Sequence, residues 1–420
     1  MSKNAWLGVL VAAGVLVSGV FAVHARRVEQ AEELTERALR LLHPPLSEAP
    51  SLRDLRGREA RELLEQAQTI AQAPERDELI ALARSAELYS KGRYEQAERT
   101  LGASALQRDQ GLQLMAAIKL MRGHATEADQ ILTRTWSRDA HDPRAAVLRS
   151  DVARALGRAD VALSSVEPFL QDGEGNAALY ERRGLAYALL GQRAQARADL
   201  MRATELDRKG TSALLALGRL QRDSGALSEA ILAFHEASQR APDEAEAWLG
   251  AGVCRAALGD TVAARIDLER AAAAAPARAE PLIALADLDI AERDLGNALR
   301  RYRAAALLDK NSALARVKLA NTLMRAGEVA DAVVEYRAAL AEQPGMAAAH
   351  NGLGAAFFAQ GELAAAETEL KSAAELDPKD PHPWLNLARV YKRQGNESGE
   401  QAALELARVR DPALALADRR

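Results

Sequence analysis

Small and large apolar positions recur along this chain at a fixed interval. From Gly123, a step of 34 residues lands on Gly157, Gly191, Gly225, Gly259, Arg293, Gly327, Gly361 and Gly395. Eight of these nine positions are glycine in a chain with 27 glycines among 420 residues, so the spacing is not accidental. Gly92 extends the series backwards by a step of 31. Five residues after each turn position comes Ala97, Ala128, Ala162, Ala196, Ala230, Ala264, Ala298, Ala332 or Ala366, and only Glu400 departs. Nine after it comes a large apolar residue: Leu101, Leu132, Val166, Leu200, Phe234, Leu268, Tyr302, Tyr336, Leu370 or Leu404. Seven before it the residue is small in every copy, as at Ser85, Gly184, Gly252 and Gly354. Proline returns at Pro242, Pro276, Pro344, Pro378 and Pro412, seventeen after the turn.

These columns predict a helical hairpin repeated about ten times. A small residue before the turn and an alanine after it let two helices approach closely, because side-chain bulk sets the interaxial distance. Glycine suits the turn, where a positive φ costs it nothing. The large apolar residue fills the space between one hairpin and the next. Proline ends one helix or begins another, since it has no N–H and disfavours helix at the residue before it. One hairpin cannot bury both its apolar faces, but a stack can.

The columns resemble the tetratricopeptide repeat family, a 34-residue helix–turn–helix. The closest copies read Trp248, Gly252, Ala264, Leu268, Ala271, Pro276 and Leu217, Gly218, Ala230, Phe234, Ala237, Pro242. The resemblance covers 78–414, divided as 78–108, 109–142, 143–176, 177–210, 211–244, 245–278, 279–312, 313–346, 347–380 and 381–414. It implies an all-α fold, a right-handed α-solenoid whose concave groove is lined by the first helix of each pair. The repeat 279–312 carries Arg293 in place of the turn glycine, and a slightly different turn is expected there.

The amino terminus is of another kind. Asn4–Val23 holds twenty residues without a charge. As a helix that run would rise about 30 Å, the thickness of a bilayer's hydrocarbon core. It reads as one transmembrane anchor within residues 1–25, held by Arg26 and Arg27, or as a signal peptide cleaved near Val23-His24-Ala25. The expected location is a single-pass protein of the bacterial inner membrane. Charge counting leans towards a cytoplasmic body, and a signal peptide would make it periplasmic. Residues 26–77 read as a helical spacer and cap, broken at His43-Pro44-Pro45, and 415–420 as a tail.

Composition narrows the chemistry. Lys and Arg number 55 against 59 Asp and Glu, a net charge of −4 that does not suit a nucleic-acid binder. The single cysteine, Cys254, rules out an intramolecular disulfide or a multi-cysteine metal site. The seven histidines are scattered, and no phosphate-binding loop or nucleophile elbow is present. No catalysis, cofactor or metal is expected. Gly250-Ala251-Gly252 and Gly352-Leu353-Gly354 sit inside predicted first helices, which points to close helix packing rather than dinucleotide binding. Asn396-Glu397-Ser398 matches a glycosylation sequon at chance frequency.

By the resemblance, positions 2, 5, 9 and 12 of each repeat face the groove. Position 5 is aliphatic in seven of ten copies. The candidate groove residues are Leu215, Arg219, Arg222, Leu249, Val253, Ile283, Asp287, Val317, Asn321, Met324, Asn351, Phe358, Leu385 and Arg389. No copy has the position-5 lysine of the carboxylate-clamp members, and position 6 carries no asparagine ladder. The expected partner is a helical or extended apolar protein segment, with the membrane reached through 4–23. The function this implies is a membrane-tethered scaffold that supports assembly of a protein complex. The alternative is an accessory subunit of a membrane enzyme or envelope-assembly complex.

Overall fold

The computed structural model describes residues 30, 34, 62–63, 65–66, 81–82, 84–89, 91–101, 109–139, 142–170 and 176–411. The predicted anchor at 4–23, most of the spacer and the tail lie outside them. Among the described residues no helix is long and apolar enough to cross a membrane.

Among the described residues the elements are α-helices with one short 3-10 turn at Glu167–Phe169, and no strand occurs. In chain order the helices are α1 (Tyr94–Thr100), α2 (Asp109–Met121), α3 (Ala125–Asp139), α4 (Pro143–Ala155), α5 (Ala159–Val166), α6 (Ala177–Leu189), α7 (Arg193–Leu206), α8 (Ser212–Asp223), α9 (Leu227–Arg240) and α10 (Ala245–Ala257). They continue as α11 (Thr261–Ala274), α12 (Glu280–Ala291), α13 (Leu295–Leu308), α14 (Ala313–Ala326), α15 (Val329–Glu342), α16 (Ala347–Gln360), α17 (Leu363–Leu376), α18 (His382–Gln394) and α19 (Glu397–Arg410). Even numbers are the first helices of the pairs. Two compact units divide the chain, 1–250 and 251–420, with the division inside α10.

Consecutive helices pack on one another from α1 to α9 in the first unit and from α11 to α19 in the second, each a solenoid-like array. First helices also touch the first helix that follows, as α4 meets α6 in the first unit and α14 meets α16 in the second. That second set of contacts lines the first helices up in a row.

The periodic columns carry the packing. All nine alanines from Ala97 to Ala366 have no exposed surface. Beside them Leu200, Phe234, Leu268, Tyr336 and Leu370 are at most 1% exposed. Burying one such side chain contributes about 1.5–3 kcal/mol. The small columns explain how bulk of this size fits. A Cβ on Gly250 would lie 2.6 Å from the Phe234 ring, inside van der Waals contact. One on Gly252 would meet the Leu268 side chain at 2.7 Å and the Ala264 carbonyl at 3.2 Å. Gly352 stands in the same relation to Tyr336, and Gly354 to Leu370. Both glycine pairs therefore serve helix contact.

The turns follow one design. Gly361 takes φ +84°, and the Glu362 N–H beyond it donates to the Phe357 carbonyl at 2.9 Å. This closes the helix end, as left-handed C-terminal caps do. Arg293 corrects an expectation. Its turn is not different: the arginine itself adopts φ +65°, and the Asp294 N–H donates to the Asp289 carbonyl at 2.8 Å. The hairpin's packing imposes the turn, and the residue accepts the steric cost. After the turns, Asp260, Asp294 and Asn396 cap the second helices with their side chains. Asn396 accepts from the Gly399 N–H at 3.0 Å, which gives the sequon asparagine a structural task.

Candidate protein-binding face of the first helices

Cross-hairpin charge pairs brace the row of first helices. Eight residues after the turn, the second helix presents Asp199, Asp267, Arg301, Glu335 or Glu369 to a side chain on its own first helix. The Arg183 guanidinium grips Asp199 through two hydrogen bonds of 2.7 and 2.8 Å. Arg255 meets Asp267, Arg316 meets Glu335 at 3.0 Å, and His350 meets Glu369 at 2.7 Å. In the hairpin of α12 and α13 the signs are exchanged: the carboxylate is Asp289 and the cation is Arg301. These pairs were not visible in the column pattern, because only the second-helix position is kept while its charge and the place of its first-helix partner vary.

In the first unit the row carries a buried ionic chain. Arg182 on α6 lies within ion-pair distance of Asp151 on α4 and of Glu181, both at 2.9 Å. Arg154 adds a contact to Asp151 at 3.0 Å, and the Ser212 hydroxyl on α8 donates to Glu181. Asp151, Glu181, Arg182 and Ser212 are all buried. Burial opposes the Arg182 charge, but Asp151 and Glu181 outweigh it, so the guanidinium holds its proton more tightly than usual. Two carboxylates and two guanidiniums balance, which is the condition for burying charge at tolerable cost.

The expected groove residues of this unit fare differently from one another. Leu215 has no exposed surface and serves the core. Arg219 is half-buried, and its Nε donates to Glu246 at 2.5 Å. Arg222 pairs with Asp223 at 2.9 Å, and Leu249 is half-buried.

In the second unit, Val317 is 4% exposed and packs in the core, while Ile283 is half-buried against it. Val253 is 36% exposed. Asp287 accepts the Tyr302 hydroxyl and also meets Lys318 at 2.6 Å. Asn321 accepts the Tyr336 hydroxyl at 2.5 Å. Burial raises the proton affinity of both phenols, and for Tyr302 the bond to the Asp287 carboxylate adds to it. The position-9 polar residues thus cap tyrosines that rise from the core. Further along, the Asn386 amide donates to the Asn351 carbonyl at 2.9 Å, joining α16 and α18. Met324, Asn351, Phe358 and Leu385 are half-exposed, and Asn321 and Arg389 exposed. Arg393, absent from the expected set, stands beside Arg389 over the Phe358 ring.

The second unit also has a cleft of about 450 Å³ between α13, α14 and α15. Leu307 and Val334 line it, 73% and 62% exposed. Of the five charged residues that line it, Arg316 and Glu335 are paired with each other.

Comparison with known proteins agrees with the columns. Residues 215–280 and 317–381 match the tetratricopeptide repeat, as do 357–413 and 177–209. No curated protein matches the chain in sequence. The Cut9–Hcn1 assembly of the APC/C hetero-tetramer is similar in structure: TM-score 0.51, 16% identity, 81% of this chain and 76% of that one covered. At this identity the likeness is one of fold alone. A tetratricopeptide repeat protein from Parabacteroides merdae aligns at TM-score 0.45 and 16% identity, over 56% of this chain and 93% of its own. YrrB, a repeat protein described as having an unusual peptide-binding site, aligns at TM-score 0.36 and 20% identity, over 44% and 95%.

Proposed function

Since the chain belongs to the tetratricopeptide repeat proteins, we propose that it is a non-catalytic scaffold that holds a segment of another protein against its first helices. One observation carries this reading. On α14, α16 and α18 the row leaves Met324, Phe358 and Leu385 half-exposed beside Asn321, Asn351 and Arg389, whereas Leu215 and Val317 are consumed by the core. Apolar surface interleaved with hydrogen-bonding groups is what an extended or helical polypeptide needs. The binding set therefore contracts to Val253, Ile283, Asp287, Asn321, Met324, Asn351, Phe358, Leu385 and Arg389 in the second unit, with Arg219, Arg222 and Leu249 in the first.

The uncharged run at 4–23 supports a membrane tether, so that the scaffold would gather its complex at a bilayer surface. A role as accessory subunit of a membrane enzyme or envelope-assembly complex shares every one of these features and differs only in the partner's chemistry.

Photo-crosslinking tests the face. A crosslinking amino acid at Val253, Met324 or Leu385 should capture one discrete partner that the same probe at Val262 or Val334, on second helices, does not. Equal capture from both sides would remove the reading. For the tether, the full chain should stay in the membrane pellet at alkaline pH, and a chain lacking residues 1–25 should leave it.

A further inference from the structure

On α18, two cations have no carboxylate to answer them among the described residues. Arg389 and Arg393 lie one turn apart on α18, both exposed, with guanidinium carbons 5.2 and 5.4 Å from the centre of the Phe358 ring on α16. Like charges four apart on a helix repel. The negative face of the ring offsets that repulsion and holds both groups in place. Among the described residues neither arginine has an ion-pair partner within 4.0 Å.

Several cations on other first helices are neutralised. Arg154 and Arg182 share Asp151, Arg219 meets Glu246, and Lys318 meets Asp287. Three carboxylates of the neighbouring helices are engaged elsewhere. Glu367 receives Lys371, Tyr391 and Gln394, Glu369 receives His350, and Glu400 lies 3.7 Å from Lys392. The remaining polar group at this corner is the Asn351–Asn386 pair, whose Asn386 carbonyl accepts from Arg389 at 3.5 Å. The corner is thus rich in donors, cationic and preorganised.

We propose that this corner of α16 and α18 receives the acidic side chains, aspartate or glutamate, of a bound polypeptide. A guanidinium fork matches a carboxylate geometrically, and two forks one turn apart suit a pair of acidic residues or one shared carboxylate. Met324 and Leu385 take the apolar residues beside them. The inference rests on the first-helix face being the binding face and adds the charge of what binds there. Two arginines on a chain of net charge −4 do not form the extended basic track that nucleic acid requires.

The test uses the full chain in detergent and a random dodecapeptide library displayed on phage. Selected peptides should be enriched in Asp and Glu. Resynthesised with amidated ends, they should bind about tenfold more weakly when Gln and Asn replace the acids. They should bind equally weakly to the Arg389→Gln/Arg393→Gln chain, whose helicity by circular dichroism should be unchanged. Selection without acidic enrichment overturns the inference, as does binding that survives R389Q/R393Q, binding that requires a free carboxyl terminus, or no selection at all. If non-acidic peptides are selected and crosslink to Met324 and Leu385, the face stands and only its charge preference falls.

Discussion

Arg301 on α13 donates to the buried carboxylate of Asp289 on α12, a charge-reversed copy of the Arg255–Asp267 pair one repeat earlier. Asp289 lies four residues before its turn and Arg301 eight after, the same offsets as Arg255 and Asp267. The Asp289 carboxylate also receives Arg265 from α11 at 3.0 Å, so it ties its own hairpin to the preceding one. Its side chain is 1% exposed, whereas both arginines keep about a quarter of theirs in solvent.

That asymmetry sets an order of effects. Asp289→Ala frees two partly solvated cations and should cost about 1–3 kcal/mol. Arg265→Ala with Arg301→Ala strands a buried carboxylate and should cost about 3–5 kcal/mol. Hydrogen exchange of the α12 and α13 amides reads both, since a repeat array need not unfold in one step. Equal losses would mean that the pair's burial is not what matters.

Arg293 occupies a backbone position that glycine fills elsewhere, at φ +65°. Arg293→Gly should stabilise the α12–α13 hairpin by about 1 kcal/mol, part of the steric relief being returned through glycine's greater freedom when unfolded. Amide exchange in those helices should slow about fivefold. Gly361→Arg should do the reverse at α16–α17.

Gly352 faces the Tyr336 ring so closely that no Cβ fits without displacement. Gly352→Ala should therefore cost about 1–3 kcal/mol. Adding Tyr336→Leu should recover most of the loss, because leucine already fills this column at Leu268 and Leu370. A thermal melt of the single and double variants checks the pairing.

Tyr302 and Tyr336 give the fold a sensitivity at alkaline pH. Burial raises both phenols, and Asp287 raises Tyr302 further. The native state thus holds these protons more tightly than the unfolded chain, whose tyrosines titrate near pH 10. Their stabilising effect is complete below about pH 10 and is lost as pH rises past it towards the raised folded values. Urea unfolding at pH 9 and pH 11 should show a drop that the Tyr302→Phe/Tyr336→Phe chain largely escapes.

The repeated hairpin was legible because each column reports one recurring environment. Alanine five after the turn is buried wherever it occurs, so nine copies show the same small side chain and only Glu400 departs. The face was less legible. Leu215 and Val317 occupy nominal groove positions, yet the contacts of their own units bury them. Asp287 and Asn321 look like spare polar groups until Tyr302 and Tyr336 are seen to reach them. Arg393 sits one place beyond the position 12 taken as the end of the groove-facing set, and only its approach to Phe358 marks it.

Period, hairpin, turn position and the small-against-large packing of helices belong to the sequence alone, since burial at one place in a hairpin selects the same kind of residue in every copy. Which charges are spent on the fold and which stay open belongs to the tertiary structure. The partners that settle it, Asp287 with Lys318 or Phe358 with Arg389, lie 31 residues apart in the chain and meet only when one first helix is laid beside the next.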